Sequence, residues 1–152
     1  MTHLRCHHRI TVEAPVARAF MYFTPAGESH WVEGWKPTYL HPSDGRTEPG
    51  MVFTTGEGVE HTVWMLADFD RGAHRSRYLR CTPGSRLVVV EIACRALDAQ
   101  TTEVEVAYTL TALTPAAEPA IAAFGAGYRA MIDGWGAQIA ACRAQLLAAD
   151  LR

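Results

Sequence analysis

AAEPAIAAFGAGYRAMIDGWGAQIAACRAQLLAAD, residues 116 to 150, is the stretch that decides the fold. Ile121, Phe124, Tyr128, Met131, Trp135, Ile139, Cys142 and Leu146 recur at steps of three and four, which sets them on one stripe of an α-helix. Glu118, Arg129, Asp133, Arg143 and Gln145 fall off that stripe, toward water. A helix of this kind needs an apolar surface to lie on. Gly125, Gly127, Gly134 and Gly136 interrupt it, each costing about 0.8–1 kcal/mol relative to alanine in a helix interior. At about 100° per residue, Gly125 and Gly136 flank the stripe on one side and Gly127 and Gly134 on the other. Two rows of missing side chains beside large aromatics imply close approach of a sheet or of a ligand.

The rest of the chain supplies the sheet. In LRCHHRITVEAP, Leu4, Cys6, His8, Ile10 and Val12 alternate with Arg5, His7, Arg9, Thr11 and Glu13, the pattern of a half-buried strand. Pro15 opens a short helix with an apolar face of Ala19, Phe20 and Phe23, which stops near TPAG. A second short helix or turn is expected over Glu28 to Glu33, ended by Gly34 and Pro37. Strands are then predicted over Thr38–His41, Met51–Gly56, Thr62–Phe69, Arg75–Thr82, Leu87–Leu97 and Thr102–Leu113, separated by the turn signals SDG, TGEG, DRGAH, TPGS and DAQ. This is the spacing of an antiparallel meander.

The last hairpin can be registered. A three-residue loop, Asp98 to Gln100, pairs Cys94 with Val104, Ile92 with Val106, Val90 with Tyr108 and Val88 with Leu110 on one face. The other face receives Arg95 against Glu103, with Glu91 and Glu105 nearby. A slip of one residue would mix the faces, which a sheet with one buried side resists.

A chain of 152 residues has room for one domain, residues 1 to 152, with a proper core. Its net charge is −2 and its charges are dispersed, so nothing recruits nucleic acid or anionic lipid. RGAHRSRYLR, residues 71 to 80, is the most basic stretch and is read as a solvated hairpin. No apolar run reaches the ~20 residues of a membrane span, and MTHLRCHHR has no signal-peptide pattern, so a cytoplasmic protein is expected. Cys6, Cys81, Cys94 and Cys142 are scattered without C-x-x-C spacing and are read as free thiols. His3, His7 and His8 do not make a metal site, since His7 and His8 point to opposite faces of a strand. GAGYRA, residues 125 to 130, matches a dinucleotide fingerprint but lies inside a helix with no strand before it. No cofactor or metal is expected.

The order of elements, β-α-α-β6-α, is similar to that of the helix-grip proteins, and ITVEAPVARAF, the tryptophan segment with GMVFTT after it, and AYTLTAL running into the last helix carry the resemblance. The chain resembles the START and pollen-allergen-like superfamily (SRPBCC), and within it the bacterial members with the polyketide cyclase/dehydrase label. The resemblance covers nearly the whole chain. It implies an α+β fold, a seven-stranded curved antiparallel sheet wrapped around the long C-terminal helix, with an internal cavity that binds a small apolar or aromatic molecule.

On that frame, Trp31 and Trp35 of HWVEGWKPTYLHP, residues 30 to 42, are candidates for the cavity mouth or for a plug that seals it. Phe53 and Tyr108 are placed across the cavity from Phe124, Tyr128, Met131 and Trp135. His8, expected inward, and Glu33 are the candidate acid–base residues, with His61 behind them. Three readings stand side by side: a carrier of an apolar ligand, a cyclase- or dehydratase-type enzyme with one cavity acid–base residue, and a protein-interaction module like the superfamily's chaperone activators. A homodimer is left open.

Overall fold

The computed structural model describes every residue from Met1 to Arg152. The alternation read from the sequence produces seven strands: β1 (His3–Val12), β2 (Thr38–His41), β3 (Val52–Thr55), β4 (Thr62–Asp70), β5 (Arg75–Thr82), β6 (Arg86–Asp98) and β7 (Thr101–Ala112). They form one sheet in the order β1-β7-β6-β5-β4-β3-β2, antiparallel throughout. The first strand closes against the last, His3 opposite Thr111 and Val12 opposite Thr102. On β1 only one side is withdrawn from water, and it carries Leu4, Cys6, His8, Ile10 and Val12 as expected.

The β6–β7 hairpin has the predicted register, Cys94 opposite Val104, Ile92 opposite Val106, Val90 opposite Tyr108 and Val88 opposite Leu110. Its loop is shorter than expected. Asp98 pairs with Thr101, and the residue saved is taken up by a bulge between Ala96 and Asp98. Of the outer charges, Arg95 meets Glu103 at 3.2 Å, whereas Glu105 pairs with Arg9 across β1 at 2.9 Å and Glu91 with Arg77 at 3.5 Å.

Helices cover part of the inner face. α1 (Val16–Met21) packs on β6 and β7, α2 (Pro25–Glu28) follows it, and α3 (Glu118–Ala141) lies along β1 with a lighter contact to β7. A short α4 (Arg143–Ala148) follows, held to α1 by the Arg18 guanidinium, which donates to the carbonyls of Leu146, Leu147 and Ala149. No helix is long and apolar enough to cross a membrane. The second helix begins earlier than the sequence suggested. TPAG does not end a helix but starts one: Thr24 is the N-cap, accepting from the Gly27 N–H at 3.0 Å, with Pro25 at the first position.

The stripe of α3 faces the sheet, joined by Ile132, which the step count missed and which is completely buried. The glycine rows part company. Gly125 and Gly136 sit where α3 approaches β1, and a Cβ there would meet Leu4 and Ile10 respectively. Gly127 and Gly134 face open space. Only the first row reflects close packing. Gly134→Ala is therefore expected to stabilise the protein by about 0.8–1 kcal/mol. Gly125→Ala should fall short of that gain because Leu4 must move, and urea unfolding of the two variants compares them directly.

Candidate ligand cavity

The corner between α1 and α2 is drawn tight. Thr24 Oγ1 donates to the Met21 carbonyl at 2.8 Å, and Gly27 lies so close to the backbone of Met21 and Tyr22 that a Cβ has no room. This corner fixes Glu28, the last residue of α2, and starts the tryptophan segment. Trp31 Nε1 donates to the Tyr22 carbonyl and Trp35 Nε1 to the Pro25 carbonyl, both at 2.9 Å. Each indole N–H, costly to bury unpaired, is thus answered by the chain that precedes it.

A hollow of about 170 Å³ opens below this corner. Its helix side is made by Phe23, Glu28, Val32, Trp35 and Trp135. Its sheet side comes from the inward positions of five strands: Phe53 of β3, Trp64 of β4, Tyr78 and Arg80 of β5, Val90 and Ile92 of β6, and Tyr108 of β7. The rings brace one another. Phe53 stacks on Trp64 at 5.4 Å, and Trp35 stands edge-on to both, at 6.0 and 5.9 Å. A polar groove of about 620 Å³ adjoins outside, sharing Trp35, Trp64 and Arg80 with the hollow and flanked by Lys36, Glu60 and Arg86. A third space of about 310 Å³ runs toward the start of α3, past Leu110, Ile121 and Phe124, and shares Arg80 and Tyr108. Arg80 is common to all three.

The polar groups of the hollow are few, and most lack partners. Tyr78 donates to the Phe23 carbonyl at 3.0 Å. Burial lifts the Glu28 carboxyl from its ordinary 4.5 to about 8, with the Arg80 charge pulling the other way, and the carboxyl accepts no hydrogen bond from the chain. Arg80 is lowered by burial, and its Nε is a buried donor without an acceptor. Its guanidinium lies 4.7 Å from the centre of the Trp64 ring, a cation–π contact. Tyr108 is pushed up to about 12 by burial, so its hydroxyl remains a donor at all ordinary pH. A near-neutral carboxyl, a guanidinium and a phenol facing one apolar space can bind, orient and exchange a proton with a small molecule.

The structure sorts the residues picked from the sequence. Trp35, Phe53, Tyr108 and Trp135 line the hollow, and Phe124 lines the space beyond Tyr108. Trp31 is a plug: 5% exposed, it packs edge-on against Phe23 and Trp135 at 5.7 and 5.8 Å and does not reach the hollow. Tyr128 is core, its hydroxyl spent on the Val106 carbonyl at 2.6 Å. Met131 packs against the core without lining any of the three spaces.

The acid–base candidates are corrected. His8 is on the inner face of β1 but lies under α3, its Nε2 2.7 Å from Asp133 Oδ1, because the helix covers that strand and separates it from the hollow. Glu33 and His61 are exposed. The carboxyl inside is Glu28, five residues before Glu33, and the basic stretch read as a solvated hairpin places Tyr78 and Arg80 within. The missed signal was in β5: Ser76, Tyr78, Arg80 and Thr82 share one phase, and three of these are buried.

No protein-family model matches the chain, and no curated protein matches it in sequence. Solved structures do. Norcoclaurine synthase from Thalictrum flavum, in complex with dopamine and hydroxybenzaldehyde, superposes with a TM-score of 0.63 at 13% identity, over 91% of this chain and 87% of that one. Ara h 8.0201 gives 0.65 at 12%, over 97% and 100%. The Zhui aromatase/cyclase from Streptomyces sp. R1128 gives 0.56 at 17%, over 74% and 70%. At such identities the likeness establishes the fold: the chain has the helix-grip fold of the SRPBCC and Bet v1-like proteins.

The Glu28 carboxyl should make stability fall with pH. With a folded pKa near 8 against an ordinary 4.5, it is neutral in both states below pH 4.5. Between those values the unfolded chain ionises while the folded one does not, so stability declines across that window and levels off above it. Glu28→Gln is expected to abolish this decline and to be more stable than wild type at pH 8 by on the order of 2–4 kcal/mol. Denaturant titrations at pH 5 and pH 8 measure both.

Proposed function

We propose that the chain binds a small aromatic molecule of one or two rings in the hollow between the inner face of β3–β7 and Trp135 of α3, reached past Trp35. The observation that supports it most is the wall itself: a closed set of aromatic and aliphatic side chains into which three polar groups converge, the make-up of a small-molecule site. The structural neighbours agree in kind, since one of them holds dopamine and hydroxybenzaldehyde. The Trp35 edge and the half-buried Val32 form the side nearest the polar groove and so the natural way in. Native mass spectrometry and thermal-shift measurements with one- and two-ring phenols, ketones and acids check this reading. Binding of at least one class is expected, with loss of that binding in Val32→Trp, which fills the hollow while circular dichroism shows the fold intact. A panel that leaves the wild-type melting temperature and mass unchanged would refute it.

A second reading, an acid–base enzyme of the cyclase or dehydratase kind, is favoured by one observation: Glu28 titrates near 8 with a guanidinium in its field. Ionised, its carboxylate takes a proton from the carbon beside a bound ketone, the C–H electron pair forms a double bond to the carbonyl carbon, the C=O π pair moves onto oxygen, and Arg80 donates to the resulting enolate oxygen. Reversal returns the proton. Deuterium uptake by 2-tetralone in heavy water, followed by NMR, reports this step. Wild type should accelerate exchange at the carbon next to the carbonyl, and Glu28→Gln should reduce that acceleration by about a hundredfold or more. Equal exchange by the two proteins would leave binding as the whole function.

A further inference from the structure

Seven of the thirteen arginines in this chain find acids. Arg9, Arg46, Arg77, Arg86, Arg95, Arg143 and Arg152 each lie within 4.0 Å of a carboxylate. Of the other six, Arg5, Arg71, Arg75 and Arg129 are exposed and Arg18 donates to the carbonyls of Leu146, Leu147 and Ala149, whereas Arg80 is largely enclosed and has no carboxylate partner. Its nearest acid from the surface side, Glu60, is bonded to Arg86 at 2.9 Å. From the helix side it faces Glu28, whose carboxyl stays neutral at pH 7 because burial outweighs the pull of Arg80. From β7 it faces the Tyr108 hydroxyl, also neutral. Its flat side is occupied by the Trp64 ring at 4.7 Å, which leaves the edge, with its N–H fork, directed at the spaces it borders. One of those donors, Nε, has no acceptor.

A guanidinium enclosed without a counter-ion is costly, and removing the charge from such a setting by pairing it with an incoming anion recovers that cost. We infer that the ligand of this cavity carries an anionic group, a carboxylate or phenolate on a small aromatic ring, that is held by the N–H fork of Arg80 where hollow and groove meet. The inference rests on the cavity reading above and adds the ligand's charge to it. The ring lies among Trp35, Phe53 and Trp64, and the anion points at Arg80. Neutral Glu28 and Tyr108 supply O–H donors to the same group. Ionised Glu28 would instead compete with it for the guanidinium.

The test uses two probes of the same shape, 2-naphthoate and 2-naphthamide, with binding read by quenching of tryptophan fluorescence and by calorimetry on the full chain. At pH 7 naphthoate is expected to bind about ten- to a hundredfold more tightly than naphthamide, the range of a charge-assisted hydrogen-bond pair. The preference should collapse to within about twofold in Arg80→Gln, where the fork and its charge are gone. Wild type also carries its own control. As pH rises from 7 to 9, naphthoate affinity should fall about tenfold, following the protonated fraction of a carboxyl that titrates near 8, while naphthamide affinity stays level. The other groups facing the pair do not change charge over that interval: Tyr39, Tyr78 and Tyr108 are raised, Glu60 is lowered, and the Arg80 guanidinium stays protonated. In Glu28→Gln the pH dependence should vanish. Naphthamide binding as tightly as naphthoate to wild type, or a preference that survives Arg80→Gln, overturns the anion assignment and leaves the cavity standing. Failure of both probes where the thermal-shift panel does find a ligand overturns the anion assignment alone, and failure of both with a panel that finds none overturns the cavity and the anion together.

Discussion

One α-helix, about 10 Å across, cannot cover the inner face of seven strands, which laid flat would span roughly 29 Å. Everything else in this molecule answers that mismatch. The sheet curls, α3 takes the side of β1 and β7, and α1 takes one end of β6 and β7. Over β3, β4 and β5 no helix lies flat, so the cover there is built from single large side chains: Trp35 stands edge-on to Phe53 and Trp64 of the sheet, and Trp31 leans edge-on against Phe23 and Trp135 beside it. Rings packed this way tile a surface without filling every gap. The hollow is what remains between them.

A gap lined by rings has a low local dielectric, and this makes the few polar groups inside it consequential. The same carboxyl on the surface would titrate like any glutamate, and Glu33, five residues on from Glu28, is exposed. At Glu28 burial dominates, and the neutral form persists to about pH 8. The guanidinium of Arg80 tolerates the setting because its charge is spread over a plane that can rest on Trp64, an option an ammonium group would use less well. The ring wall and the polar pair are therefore one device. Trp64 closes the space, supports the cation, and has its own N–H taken by Thr55 Oγ1 at 2.9 Å.

The frame was legible in the sequence because it is periodic. The three- and four-residue steps of α3 and the alternation of β1, β6 and β7 depend only on which side of an element meets water, and the hairpin register followed from keeping faces unmixed. The site was less legible. Trp35, Phe53, Tyr108 and Trp135 were picked for their rings, and rings also make ordinary core, as Trp31 and Tyr128 do here. Composition does not distinguish the two cases; the partner of each polar atom does. Glu28 was missed because its burial comes from a corner in which Gly27 touches the preceding backbone, a tertiary fact with no period. Arg80 was readable in principle, since β5 alternates and its phase puts an arginine between Tyr78 and Thr82 on the inside, but the surrounding Arg71, Arg75 and Arg77 gave the stretch the look of a solvent-facing hairpin. His8 shows the opposite error. Its phase was right, yet an inner face is divided between what the helix covers and what it leaves open, and β1 is covered.

The pairing of β1 with β7 carries a consequence for how the chain is made. On the ribosome the first strand emerges well before its only partner, since His3 must wait for Thr111 and Val12 for Thr102. Until then its apolar side and its backbone donors and acceptors are unsatisfied, while β4, β5 and β6 can zip locally in order of appearance. Pairing of β1 with β7 is thus the longest-range step in the sheet, and α3, which follows β7 in the chain, is the clamp that locks the first strand in place. Glu118 at the head of that helix receives the Thr2 backbone N–H at 2.9 Å, tying the residue that leads into β1 to the helix that covers it.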